Sequence, residues 1–244
     1  MNAPIEATGH VVLVPGGTGG VGEGVVRAWL AAGADVVVPT RTEERAAEFR
    51  DVLGGAATDR LHLVVQDYTT FEGAARLVEQ TVGFRGSLDS VVAPVGGWWQ
   101  GGRLDAITPA DWAEAFTGLA TAHMAVLRAA LPVLSGAGAY SVVVGDSAVW
   151  PVPGSGLVSM EQAAILMMQR VAVAEATPLQ RVFALQLGPV STRHAAGAVD
   201  AVDVGRVTIA ASVGEAPGRA LALHDGDEVE AALRSLAPGA APSA

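Results

Sequence analysis

The chain predicts an α/β fold, a doubly wound parallel sheet in a single domain. Short apolar runs alternate with helical stretches along its length. A glycine-rich turn at residues 16–22 joins the first apolar run to the first helical stretch. With 244 residues, 50% of them hydrophobic, the chain can build one large core. α/β domains often exceed the usual prior of ~150 residues as one unit.

The elements follow in order. Residues 11–14 (Val11-Val12-Leu13-Val14) make a first strand and 22–32 a helix. A second strand at 34–38 leads to a charged helix at 43–53. The third strand, 61–65, precedes a helix at 71–82, and the fourth strand is 90–95. A long helix lies within 109–134, with Thr108 as N-cap and Pro109 behind it. A fifth strand at 141–145, a helix at 159–175 and a sixth strand at 182–187 come next. Asp200 opens a further helix, and a last strand at 219–223 precedes Asp225-Gly226. This alternation implies parallel strands with right-handed crossovers. Residues 1–236 form the domain, and 237–244, rich in Pro, Ala and Gly, form a flexible tail.

Composition removes several classes of function. There is no cysteine, hence no disulfide or thiolate site, and no metal is expected. Net charge is −10 with no Lys/Arg cluster, which argues against nucleic acid. The opening residues have no signal-peptide pattern, and no unbroken apolar run nears the ~20 residues of a membrane span. A cytoplasmic protein off the membrane is expected. All fifteen basic residues are arginine; the chain has no lysine, and only two tyrosines, Tyr68 and Tyr140.

The run Val14-Pro15-Gly16-Gly17-Thr18-Gly19-Gly20-Val21-Gly22 stands where a strand hands over to a helix. Glycines there permit a tight turn and let backbone N–H groups approach a pyrophosphate, as in Rossmann-type domains. The pattern resembles the TGxxxGxG turn of short-chain dehydrogenases/reductases, with Pro15 in the threonine's place. Further stretches carry the likeness over residues 10–226. Residues 88–96 resemble that family's "D-x-x-V-N-N-A-G" strand, with both asparagines lost and Gly96 kept. Residues 128–132 resemble the end of its long fourth helix, and 187–192 its "P-G-x-V-x-T" segment. The resemblance implies dinucleotide contacts at Gly16, Thr18, Gly20, Val21, Gly22, Gly96, Gly188, Val190 and Thr192, with Asp67 at the adenine. It also implies a homodimer or homotetramer paired through the two apolar helices, or a hetero-oligomer with an active homologue.

The end of the second strand selects the dinucleotide. NAD-binding domains place a carboxylate there for the ribose 2′-hydroxyl; NADP domains use a neutral residue with arginine nearby. Here Thr40 holds the acid's place and Arg41 follows. A guanidinium suits a 2′-phosphate, so NADP(H) is expected over NAD(H). The competing reading pairs Arg41 with Glu44 or Glu48.

The family reduces ketones with a Tyr-xxx-Lys pair aided by Ser and Asn. Hydride arriving at a carbonyl carbon leaves charge on oxygen, so a proton donor must stand within reach. A phenol of pKa ~10 serves once a nearby ammonium acidifies it. Without lysine that pair cannot form. Aligning Gln162-Ala163-Ala164 with the family's "K-A-A" puts Gln162 at the lysine, Val158 at the tyrosine and Leu119 at the asparagine. The serine position falls on Gly145, Asp146 or Ser147. The segment after Thr192 is short, which implies a reduced lid over the substrate.

Three residues remain as candidates for proton chemistry: Asp146, Ser147 beside it, and His123, one turn beyond Leu119 and able to face the cleft. Asp146 could equally bond its own loop backbone, and a helical histidine between apolar residues, as His123 is, is more often packed or surface-exposed. His194 is a weaker candidate, and Glu161 is expected to point elsewhere on its helix. Trp98, Trp99, Trp150 and Val158 would line the substrate pocket. The indoles suit a flat apolar ligand, a plug in a vacated site, or a subunit contact. Three functions stay open: an atypical NADPH reductase of iminium or activated enone substrates, a non-redox cyclase, isomerase or lyase, and a silent subunit.

Overall fold

A computed structural model describes residues 5–136, 138–177, 179–237 and 239. Its core is a parallel sheet in the order β3-β2-β1-β4-β5-β6-β9. The strands are β1 (Val11–Leu13), β2 (Asp35–Thr40), β3 (Leu61–Val65), β4 (Ser90–Ala93), β5 (Ala139–Gly145), β6 (Arg181–Leu187) and β9 (Ala220–Leu223). A small parallel pair, β7 (Val190–Ser191) with β8 (Val199–Asp200), stands apart. The order turns between β1 and β4, and this switch point opens a crevice at the strands' C-terminal ends.

Helices cover both faces. On one lie α1 (Gly20–Ala31), α2 (Glu43–Leu53), α7 (Ala201–Val213) and α8 (Gly226–Leu236). They bury a core that includes Trp29, Phe183 and Leu223. Trp29 donates its indole N–H to Thr208, 2.9 Å away, so the buried ring leaves no orphan donor. On the other face lie α3 (Phe71–Arg85), α5 (Leu119–Ala130) and α6 (Gly156–Glu175), over Leu77, Val142, Val144 and Ile165. Alternate β5 residues feed opposite cores, Val143 one and Val142 and Val144 the other. That alternation is why the central strands read as unbroken apolar runs.

The expected elements are present with shifted ends. α1 starts at Gly20 and α6 at Gly156, each earlier than predicted. The long helix begins at a capping box: Thr108 accepts from the Asp111 N–H while the Asp111 carboxylate accepts from the Thr108 N–H. It is not one regular helix. α4 (Pro109–Trp112) passes through a π-helical turn, Ala113–Gly118, before α5 resumes. By length and mean hydropathy, 1.2 over the best window, the run Pro109–Val133 and α6 could each cross a membrane. Both pack on the sheet through their apolar sides. Of the expected tail, all but Ala237 and Gly239 lies outside the described residues.

Candidate active site

The glycine turn sits at the β1–β4 switch point. Gly16 has φ +83°, and a Cβ there would come within 2.6 Å of the Pro94 carbonyl oxygen. At Gly22 a Cβ would collide with the carbonyl oxygen of Gly16. Both positions therefore require glycine. The N-cap of α1 is Gly19, and no side chain caps the helix. Its first N–H groups thus face the cleft with the positive end of the helix dipole behind them. This cradle fits the pyrophosphate of a dinucleotide.

The cleft, about 310 Å³, is lined by Gly20, Val21 and Gly22 on one side and by Gly96, Gly145, Gln162, Gly188 and Val190 on the other. Thr192 leans over Gly20, its methyl 3.1 Å from where a Cβ would stand. Thr18 lies outside the cleft, and its carbonyl accepts a long 3.5 Å bond from Arg45. A larger groove of about 600 Å³ between α1, α7 and α8 is almost wholly apolar and holds none of these residues.

At the end of β2, Thr40 is buried and donates its hydroxyl to the Thr42 carbonyl at 3.2 Å. Its hydroxyl proton is used within its own turn. Arg41 is exposed. The competing ion pair is not made: Glu48 pairs with Arg45 at 3.2 Å. Asp67 accepts from the Thr69 N–H and hydroxyl, bonds that hold its carboxyl below the ordinary range, with Arg41 nearby adding to the effect. Tyr68 bonds the Gly16 backbone, and burial pushes its phenol up. Tyr140 is sealed in β5. Neither phenol lines the cleft.

The C-terminal edge beyond β5, β6 and β9 carries the polar groups. In register, Gly145 pairs with Leu187 and Leu187 with Leu223. The next residues on these strands, Asp146, Gly188 and His224, therefore stand level. Oδ1 of Asp146 accepts from Gln186 Nε2 at 3.2 Å and contacts His224 Nε2 at 2.7 Å. Nδ1 of His224 contacts Glu228 Oε2 at 2.8 Å. Asp146 does not bond its own loop through its side chain; its carbonyl closes that turn, accepting from Val149 and Trp150. Ser147 is half-buried, its Oγ 3.6 Å from the position of a Gly145 Cβ.

Gln162 is fixed by two bonds. Its Oε1 accepts from the Gly145 N–H at 2.6 Å, and its Nε2 donates to Glu161 at 3.0 Å. Glu161 does not point away, as expected from its place on the helix. It is fully buried, its second oxygen lacks a partner, and burial raises its carboxyl to about 7.

His123 is corrected too. It is fully buried, hydrogen-bonded through Nε2 to the Val95 carbonyl at 2.8 Å, and burial lowers it to about 4. It is a neutral brace behind the cleft wall. His194 is exposed and caps the Thr192 turn through its backbone.

The tryptophans come from two joined loops: Gly101 N–H donates to the Gly154 carbonyl at 2.8 Å. They do not form one stacked cluster among the described residues, whose close ring pairs are His62–Phe84 and Trp112–Phe116. Trp99 bonds Asp111, while Trp98 and Trp150 are 67% and 70% exposed. Val158, at the position aligned with tyrosine, is buried in α6. The short segment after Thr192 folds tightly, with Ala198 N–H on the Pro189 carbonyl at 2.8 Å, and makes no cover.

Sequence reasoning missed His224, Glu228, Gln186 and the role of Glu161. The one signal for His224 was its place directly after a strand, at the edge where such sheets bind ligands.

Comparison with known proteins gives a consistent picture. A family model described as enoyl-(acyl carrier protein) reductase matches residues 16–237. An uncharacterized oxidoreductase of Mycobacterium tuberculosis is 32% identical over 185 residues, 75% of this chain and 70% of that protein. Among solved structures, a short-chain type dehydrogenase/reductase from Mycobacterium ulcerans superposes with TM-score 0.81 at 20% identity, over 92% of this chain and 91% of that one. ElxO with NADP bound gives TM-score 0.78 at 17% identity, over 91% of this chain and 99% of that one.

Proposed function

Since the chain belongs to the short-chain dehydrogenase/reductase family, a family of nicotinamide-dependent oxidoreductases, we propose that it is an NADP(H)-dependent oxidoreductase. Its substrate is an apolar or aromatic small molecule, and its route does not use a tyrosine–lysine pair. The observation that carries the cofactor choice is Arg41: exposed at the end of β2, unclaimed by Glu44 or Glu48, with no carboxylate in the preceding position. ElxO, of the same fold, holds NADP.

The chain's residues divide the work. The N–H groups of Gly20, Val21 and Gly22 receive the pyrophosphate, Arg41 the 2′-phosphate, and Asp67 the adenine. Gly96, Gly188, Val190 and Thr192 wall the nicotinamide end. Hydride transfer is the chemistry that a bound nicotinamide supplies. Gln162, held by Gly145 and Glu161, takes the lysine's place with a neutral amide that cannot acidify a phenol. Asp146 is the acid–base group at the cleft's edge, with Ser147 beside it. Trp98 and Trp150 offer the substrate apolar faces. Substrates that accept hydride without a strong proton donor, iminium ions and activated enones, suit such a site.

Met124, Met167 and Val171 on α5 and α6 are exposed together along a groove, and we assign that face to pairing with a second copy.

Titration calorimetry with NADPH and NADH tests the reading. One Arg–phosphate contact, about 1.5–3 kcal/mol, should favour NADPH by tenfold or more. Failure of both dinucleotides to bind would end it.

A further inference from the structure

We propose that Glu161 is a positioning residue for the cleft. It turns the Gln162 amide so that one N–H of that amide meets an acceptor oxygen on the nicotinamide-ribose half of the dinucleotide. The inference rests on the dinucleotide reading above and adds a residue that never touches the ligand.

Glu161 is costly where it stands. It is 0% exposed, and its helix neighbours four residues to either side, Leu157 and Ile165, are buried apolar side chains. An apolar residue would pack there without that cost, since a buried carboxyl with an unmet oxygen is expensive. Oε1 has no partner among the described residues. The side chain's one hydrogen bond among them is the one Oε2 accepts from Gln162 Nε2 at 3.0 Å. Adjacent helix residues point about 100° apart, so this bond forms only because both side chains turn towards each other.

The bond takes effect at Gln162. The Gly145 N–H can only donate, so the atom it meets at 2.6 Å is the amide oxygen, and the amide cannot be flipped. The oxygen is thus held by the end of β5 and the nitrogen by Glu161. That nitrogen carries two hydrogens. Glu161 takes one; the other has no partner among the described residues. Gln162 and Gly145 both line the cleft. Without Glu161 the amide would keep a single anchor and swing about it.

The sheet order says which part of the ligand lies there. Arg41 and Asp67 follow β2 and β3, and the glycine turn follows β1. Next across the sheet come β4 and β5. A dinucleotide with adenosine over β2 and β3 and its pyrophosphate at the turn lays its remaining half over β4 and β5, beside Gln162. That half offers ribose hydroxyls and a carboxamide carbonyl, all able to accept from a neutral amide.

Calorimetry on the full chain tests this with NADPH and with adenosine 2′,5′-bisphosphate, which carries the adenosine end alone. Glu161→Met should weaken NADPH by about five- to twentyfold and leave the bisphosphate unchanged, with Tm at neutral pH kept or raised. Glu161→Gln keeps a carbonyl acceptor and should stay within about twofold of wild type for NADPH. When Gln162 is already replaced by Gln162→Met, adding Glu161→Met should weaken NADPH no further. Unchanged NADPH affinity, equal losses for both ligands, or a full loss in the Gln162→Met background overturns the proposal. Side-chain amide NMR of the wild type decides the matter without a variant at 161, with Gln162 assigned through Gln162→Met. One N–H should be protected from exchange in the free chain, and the second only when NADPH is bound. A second N–H indifferent to NADPH overturns the proposal alone. A wild-type chain that does not bind NADPH overturns the dinucleotide reading and this inference with it.

Discussion

The two ends of the cleft are built from different materials. At the β1–α1 end the ligand surface is backbone: glycines whose Cβ atoms would strike Pro94 or Gly16, and an uncapped helix N-terminus. At the β5–α6 end the surface depends on side chains, Gln162 among them, in a chain that has no lysine. A backbone site needs only glycine and a turn, so it persists while side-chain chemistry drifts. A side-chain site can change its chemistry without disturbing the sheet beneath it. Fold and binding half can therefore be inherited while the reaction is not.

The largest expected effect breaks the first end. Gly22→Ala drives a methyl into the Gly16 carbonyl. Dinucleotide binding should fall at least 100-fold by calorimetry, with a clear drop in Tm. Undiminished affinity would mean that the turn is not the phosphate cradle.

Next in size is the buried pair behind the second end. Glu161 is raised from its ordinary 4.5 to about 7 by burial. Its contribution to stability is intact below pH 4.5 and is lost as pH rises towards 7, about 3 kcal/mol in all. His123 runs the other way. Lowered by burial from 6.5 to about 4, it contributes fully above pH 6.5 and loses a similar amount as pH falls towards 4. Glu161→Gln should therefore stabilise the chain at pH 8 and steepen the loss of stability on acidification between pH 6.5 and 4.5. Urea unfolding across that range would show it; an unchanged pH profile would count against the buried carboxyl.

Arg41→Ala sharpens the comparison at the first end. NADPH affinity should fall by about 10–100-fold with NADH unaffected, corresponding to one charge-assisted phosphate contact of about 1.5–3 kcal/mol. Equal losses for both dinucleotides would reassign the arginine to general electrostatics.

The smallest effect is a control remote from both ends. Thr108→Ala opens the capping box of α4 and should cost about 1 kcal/mol in unfolding experiments with no change in either affinity.

Much of this was legible in the sequence because it is local. The glycine turn, the Thr108 cap and the Asp200 cap each involve residues within a few positions of one another. Arg41 could be read but not decided, since whether Glu48 would choose Arg41 or Arg45 depends on helix phase. The contact between Asp146 and His224 was not legible. Asp146 and His224 are 78 positions apart, and only the β5–β6–β9 register brings them level. Which alternative His123 takes was not legible, because helical spacing shows a histidine's phase and not its depth. Glu161 was misread because its bond to the adjacent Gln162 depends on how both side chains turn, not on helical spacing.

The most direct test of the contrast between the two ends is NADPH-coupled reduction of a plain ketone, cyclohexanone, by the purified chain saturated with NADPH. With a working cradle and no lysine to acidify a phenol, the dinucleotide should bind while cyclohexanone stays unreduced. Efficient turnover of that ketone would contradict the claim that the second end has left ordinary carbonyl chemistry.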